Sequence, residues 1–321
     1  MSERKIAYAK ASSELAQLRD SDVIARLEQA TALGEGIGGP TYRLDVAGVP
    51  TFVKRIPLTE VEQQNPMCTA NIFDLPTHYQ YGVGSAGFGA WRELQAHLMT
   101  TEWVLAGESP SFPLLYHWRV LSREPQTAAT PWWHERWEHD VQIDARHLAI
   151  DRAIASIVVF LEFAPAHVHE WLRDHPDALE RVEIELLEAV DVMNRSGLLH
   201  FDAHFNNVMA DDHRIYITDF GLATSTRFEL SAAERAFVST HRSYDRAVSS
   251  LMLAMTAARL DGHTEPIEHV RRVAEGGGPA DGVLARHAAA AVVLHDFFEA
   301  LQTSKRSAYP EEAIEAALAA R

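Results

Sequence analysis

Sulfur is scarce in this chain: Cys68 is the single cysteine among 321 residues. That excludes an internal disulfide and a zinc site built on several thiolates. Long apolar runs are missing as well. The longest candidate, 288–294, is short, rich in alanine and followed by His295-Asp296, well under the roughly 18 residues that a bilayer span needs. No apolar stretch follows Met1-Ser2-Glu3-Arg4-Lys5, so no secretory leader is expected and a cytoplasmic location fits. Positive charge is in deficit, with 29 Lys and Arg against 45 Asp and Glu and a net charge of −16. This balance argues against general binding to nucleic acid or to anionic membranes. It suits a solubilising acidic surface, or a cationic acceptor.

What is present reads as a globular enzyme, 47% hydrophobic and 23% charged, long enough for one large core or two coupled lobes. Residues 11–30 carry Leu15, Leu18, Val23 and Leu27 among charged neighbours, the pattern of an amphipathic helix. A glycine-rich run, Gly34-Glu35-Gly36-Ile37-Gly38-Gly39, precedes two strand-like segments, 41–46 and 49–56, with Gly48 at the turn. Residues 57–87 lack a period. A helix is expected over about 88–105, with Trp91, Leu94, Leu98 and Leu105 on one stripe and Gly107 as its stop. Strands are expected at 112–121 and 155–163, the second nearly all apolar, as a strand covered on both faces should be. Between them lies an aromatic, polar insert, about 122–154, with Trp132, Trp133 and Trp137. Packing against the first lobe is its expected role, and a partner or acceptor surface the alternative.

After Pro165 the pattern turns helical. The clearest helix spans 178–196, with Leu179, Val182, Leu186, Val190 and Met193 at spacings of three and four. Short strands follow at 208–209 and 215–218, then helices near 231–238, 245–260, 264–275 and 282–301. The expected fold is α+β: a small antiparallel β lobe over 1–163 and a larger, mostly helical lobe over 164–321.

The densest chemistry is His200-Phe201-Asp202-Ala203-His204-Phe205-Asn206-Asn207, followed after a hairpin by Asp219-Phe220-Gly221. An acid, an amide five positions on and a second acid twelve further suit Mg-dependent phosphoryl transfer. One carboxylate orients an acceptor hydroxyl, while the amide and the second carboxylate hold Mg²⁺ on nucleotide phosphates. Gly34, Gly36 and Gly39 fit G-x-G-x-x-G, and Lys54 follows fifteen positions after Gly39 on a strand. Glycine lets backbone N–H groups approach phosphate, and an ammonium beneath the loop can pair with the α- and β-phosphates. A second match, Gly82 to Gly87, lacks the following acidic strand of a dinucleotide fold and reads as a flexible lead into the next helix. His134 and His139 stand five apart, which on a continuous helix puts the rings on different faces and makes them unfit for one zinc ion.

Over roughly residues 30–260 the chain resembles the protein-kinase-like superfamily. The 200–207 stretch is similar to the H-R-D-x-x-x-x-N loop of protein kinases and to H-G-D-x-H-x-x-N of aminoglycoside phosphotransferases. The resemblance implies a two-lobed fold that binds ATP and Mg²⁺, with Asp202 as catalytic base and Asn207 and Asp219 as metal ligands. It implies an acid on the 88–105 helix that pairs with Lys54, Glu93 or alternatively Glu102. It also implies backbone contacts of Glu162 and Ala164 to adenine. Phe201 stands where many protein kinases carry an arginine that reads a phosphorylated loop, so activity independent of such a switch is expected. His204 looks like the small-molecule enzymes, and either helps hold the γ-phosphate or braces the loop. Asp219-Phe220-Gly221 and Asp245 point to a protein acceptor. His204, the short segment after Gly221 and the missing Ala-Pro-Glu point to a small molecule. The other class of reading is a pseudokinase-type scaffold that binds nucleotide without catalysis.

Overall fold

The computed structural model describes residues 2–36, 38–82, 84–125, 133–277 and 281–320. The chain is α+β and divides into two compact units. The first comprises Met1–Ala164 with Asp219–Ala223 and Phe228–Ser231, and the second comprises Pro165–Thr218, Thr224–Arg227 and Ala232–Arg321. Among the described residues no helix is long and apolar enough to cross a membrane.

The first unit begins with two helices, α1 (Glu3–Gln17) and α2 (Asp20–Glu28), where the sequence suggested one. Leu18 and Arg19 both take extended backbone and separate them. A five-stranded antiparallel sheet follows: β1 (Thr31–Gly36), β2 (Gly39–Val46), β3 (Val49–Leu58), β4 (Leu115–Ser122) and β5 (Ala155–Glu162), in the order β1-β2-β3-β5-β4. β5 is flanked by strands on both sides and is buried from Ala155 to Leu161, in keeping with a stretch that is apolar there except for Ser156. The 57–87 stretch, expected to be irregular, contains α3 (Glu60–Gln64) and a 3-10 turn at Thr77–Gln80.

One face of the sheet is covered by α4 (Ala90–Ala106), which ends at Gly107 as expected. Ala90, Trp91 and Leu94 pack there on Ile56, Leu58, Ile157 and Val159. Each large side chain so buried stabilises the unit by about 1.5–3 kcal/mol. The start of α4 is closed from a distance: Glu62 Oε1 accepts the Ala90 N–H at 2.8 Å, and Arg146 holds the other carboxylate oxygen at 3.0 Å. The insert supplies α5 (Trp133–Arg136) and α6 (Val141–Asp151). Trp133, Trp137 and Ile143 join Leu75, Tyr79 and Phe88 in a second apolar cluster, so these residues serve packing. Trp132 lies outside the described residues.

The second unit holds short strands β6 (Ala166–His167), β7 (Leu198–Leu199), β8 (Val208–Ala210), β9 (Ile215–Ile217) and β10 (Thr224–Ser225), paired as β6-β8-β9 and β10-β7. Its helices are α7 (Val168–Asp174), α8 (Leu179–Arg195), α9 (Ala232–Thr240), α10 (Tyr244–Leu260), α11 (Pro266–Ala274), α12 (Gly282–Thr303) and α13 (Glu311–Ala319). α8 buries Val182, Leu186, Val190 and Met193, the stripe visible in the sequence.

Candidate functional site

Side chains alternate along β3, so Lys54 shares a face with Phe52, Ile56 and Leu58. That face is the one α4 covers, and Glu93 stands in the first turn of α4. Lys54 Nζ therefore meets Glu93 Oε1 at 2.7 Å, with both side chains buried. Glu102, the alternative acid, is exposed. A second carboxylate joins from the Asp-Phe-Gly segment: Asp219 Oδ1 lies 2.7 Å from the same ammonium. Asp219 has φ 60°, uncommon for a residue other than glycine, and its Oδ1 also accepts the Gly221 N–H at 3.3 Å. Phe220 is fully buried and sits edge-on to His97, with ring centres 5.0 Å apart.

Two carboxylates against one ammonium leave surplus negative charge. Burial works against the charge on Lys54, yet Asp219 and Glu93 outweigh it and hold the ammonium protonated well above the ordinary lysine range. The surplus falls on the more buried acid. Burial, reinforced by Asp219 and only partly countered by Lys54, pushes Glu93 up to about 7. Asp219 keeps 46% of its side chain exposed. An oxygen-donor carboxylate that is half exposed to solvent fits a hard cation such as Mg²⁺.

The glycine run forms the β1–β2 turn, with Gly36 opposite Gly39. Gly39 has φ +104°, and a Cβ there would lie 2.1 Å from the Arg55 carbonyl oxygen. Gly38, which the pattern did not single out, lies directly over the lysine: a Cβ would be 2.7 Å from Lys54 Nζ. Gly34 has no such neighbour, and its side is open. Ile37 is outside the described residues. The second glycine run is neither a dinucleotide loop nor a loose lead into α4. Gly87 has φ +69° and packs so closely that a Cβ would meet Gly221 O at 2.0 Å, and Trp137 Nε1 donates to Gly84 O at 3.1 Å. Val83 of that run is not among the described residues.

Glu162 is tied into the first unit by both its backbone N–H and its side chain. Its N–H donates to Leu114 O at 2.9 Å, and Arg4 Nε bonds both of its carboxylate oxygens at 2.8 Å. The backbone donor is therefore already engaged within the unit, and the side chain anchors α1. Ala164 is buried at the end of the same segment.

The second unit holds Asp202, His204 and Asn207 in one tight loop. Asn207 Nδ2 donates to Asp202 O and Asp202 Oδ2, both at 2.9 Å. His204 Nε2 lies 3.5 Å from Asp202 Oδ1. Asn207 O accepts from the Thr218 N–H at 2.8 Å and the Thr218 hydroxyl at 2.9 Å, tying the loop to the end of β9. His200 Nδ1 accepts the Asp202 N–H at 3.2 Å while its Nε2 faces Thr218 O at 2.9 Å. Together these contacts assign the neutral Nε2–H tautomer. Beneath the loop, fully buried Asp245 accepts the His200 and Phe201 N–H groups at 2.7 and 2.9 Å. Burial pushes Asp245 up to about 6 against the pull of those two donors. Phe201 is buried against Tyr244 at 4.8 Å and Phe237 at 5.6 Å, so its position belongs to the apolar core of this unit.

One further expectation is overturned. The five-residue spacing of His134 and His139 presumed a continuous helix, but α5 ends at Arg136. The chain folds back, and the two rings stack with centres 6.0 Å apart. No known protein-family model matches this chain, and no curated protein matches it in sequence.

Proposed function

We propose that the chain is an ATP- and Mg²⁺-dependent phosphotransferase with a two-lobed protein-kinase-like fold, moving the γ-phosphoryl group to an acceptor hydroxyl. The observation that carries this reading is the convergence of Glu93 and Asp219 on Lys54, 39 and 165 positions away in sequence. A structural ion pair needs one carboxylate. A second, half-exposed one suits a centre that receives a cation and phosphates.

In this reading Lys54, steadied by Glu93, orients the α- and β-phosphates, and the glycine turn offers its backbone N–H groups to them. Asp219 and Asn207 would be the residues that hold Mg²⁺, which when bound would neutralise phosphate charge. Asp202 accepts a hydrogen bond from the acceptor hydroxyl and aligns its oxygen for in-line attack. As the new P–O bond forms and the bond to the β-phosphate oxygen breaks, the hydroxyl proton passes to Asp202. His204, beside that carboxylate, supports its orientation or meets the γ-phosphate. With the Glu162 N–H engaged by Leu114 O, adenine contact falls chiefly to Ala164. Rate enhancement comes mainly from positioning and charge neutralisation.

Incubation with γ-labelled ATP, Mg²⁺ and a cell lysate tests the reading. Label that accumulates in the protein or the small-molecule fraction supports it and names the acceptor class. Nucleotide binding with no label in either fraction speaks for a scaffold and against a transferase.

A further inference from the structure

We propose that His134, His139 and Asp144 form a binding site for a divalent transition-metal ion of the zinc type. The local backbone builds it. After α5 closes at Arg136, Glu138 and His139 take φ of 54° and 59°, and the His139 N–H bonds to His134 O at 2.8 Å. That hydrogen bond folds the chain end back and brings the two imidazoles face to face. Asp140 then opens α6 by accepting the Gln142 and Ile143 N–H groups, which sets Asp144 in the first turn of that helix.

One ligand atom from each of the three residues lies within 4.8 Å of the others. His134 Nδ1 is 2.6 Å from Asp144 Oδ1. That oxygen is sealed from solvent, yet among the described residues it takes part in no hydrogen bond. At 2.6 Å the pair stands closer than two ligand atoms on one ion do, so an entering cation would part them slightly, with a second imidazole stacked alongside. Around zinc, ligand atoms at about 2.0–2.2 Å sit roughly 3.3 Å apart. The exposed His139 ring can close the remaining gap by rotation.

Donor chemistry sets the class of metal. Two imidazoles and one carboxylate suit zinc and its first-row neighbours, whereas Mg²⁺ and Ca²⁺ prefer oxygen alone. Three protein ligands leave a fourth position to water or an outside group. The frame is well anchored: Trp133 stacks on His147 with ring centres 4.8 Å apart, and Trp137 is buried and bonded to Gly84 O. A simple surface ion pair would account for His134 and Asp144. It gives no reason for the left-handed turn that returns His139 to the same spot. The site is independent of the phosphotransfer reading.

Titration of the purified full-length chain with zinc alone, in excess Mg²⁺ to occupy oxygen-donor sites, tests the proposal. Cobalt(II) replaces zinc in a parallel titration read by visible absorption. One ion per chain is expected. Its affinity falls about 10-fold or more in His139→Ala and in Asp144→Asn, at least the loss seen when a supporting partner of a metal ligand is removed. Zinc raises the melting midpoint of the wild type and not that of His139→Ala, whose exposed ring makes its zinc-free midpoint match the wild type. His263→Ala, at the stacked His263–His269 pair of the second unit, leaves binding unchanged. No saturable binding, equal affinity in His139→Ala, or loss of binding in His263→Ala overturns the proposal.

Discussion

Lys54 Nζ lies 2.7 Å from Asp219 Oδ1, a contact that joins residues 165 positions apart and completes a buried cluster with Glu93. Lys54→Met removes the ammonium that Glu93 and Asp219 share. Destabilisation of about 3 kcal/mol is expected, the low end for a broken buried pair, because half-exposed Asp219 is resolvated. The double variant Lys54→Met, Glu93→Leu should recover part of that loss, since the buried charge has gone with its partner. Urea unfolding at pH 8 measures both. A single variant as stable as the wild type would contradict the cluster.

Glu93 holds its proton more tightly in the folded chain than an ordinary glutamate does. Its folded-state value, about 7 against an ordinary 4.5, favours the protonated form in the folded chain. The stabilisation it gives is present below about 4.5 and is lost as pH rises through about 7. Glu62, Glu183 and Asp211 shift the opposite way, so the wild-type profile alone is ambiguous. Glu93→Gln isolates the effect: its melting midpoint should climb relative to the wild type between pH 4.5 and 7. A constant difference across that range would show that Glu93 titrates as an ordinary carboxyl group.

Asp245→Asn turns an amide N–H toward one of the two backbone N–H groups that the carboxylate accepts. A cost of about 1–3 kcal/mol is expected, with faster hydrogen exchange at His200 and Phe201. Unchanged exchange at both amides would mean that the loop does not depend on Asp245.

Glycine tolerance should differ sharply within this chain. Gly87→Ala forces a Cβ to 2.0 Å from Gly221 O at φ +69°, and a loss of about 2 kcal/mol or more is expected. Gly34→Ala meets nothing within 4 Å and should stay within about 0.5 kcal/mol of the wild type. Chemical denaturation of the two variants compares them directly. Equal stabilities would contradict the close approach at Gly87.

The elements legible in the sequence were those set by local pattern. α4 and α8 show their apolar stripes, and the β2–β3 hairpin shows Gly48 at its turn. What the sequence concealed depends on partners far along the chain. Nothing near Glu162 signals Arg4, and nothing near Gly87 signals Gly221. The break at Leu18 and Arg19 lies inside a continuous apolar period, with no glycine or proline to mark it. The His134–His139 pairing was hidden for a related reason: two ordinary residues, Glu138 and His139, adopt a left-handed turn that favours glycine. Of the candidate site, the Lys54–Glu93 contact was an expectation of the family resemblance, with Glu102 as the alternative, while Gly38 emerged only from its position over Nζ.

Transfer of label from γ-labelled ATP in Mg²⁺, compared among the wild type, Asp202→Asn and Asp219→Asn, tests the phosphotransferase assignment most directly. Loss of about 100-fold or more is expected in each variant, with folding intact by circular dichroism. Equal turnover in all three proteins would contradict phosphoryl transfer by these residues.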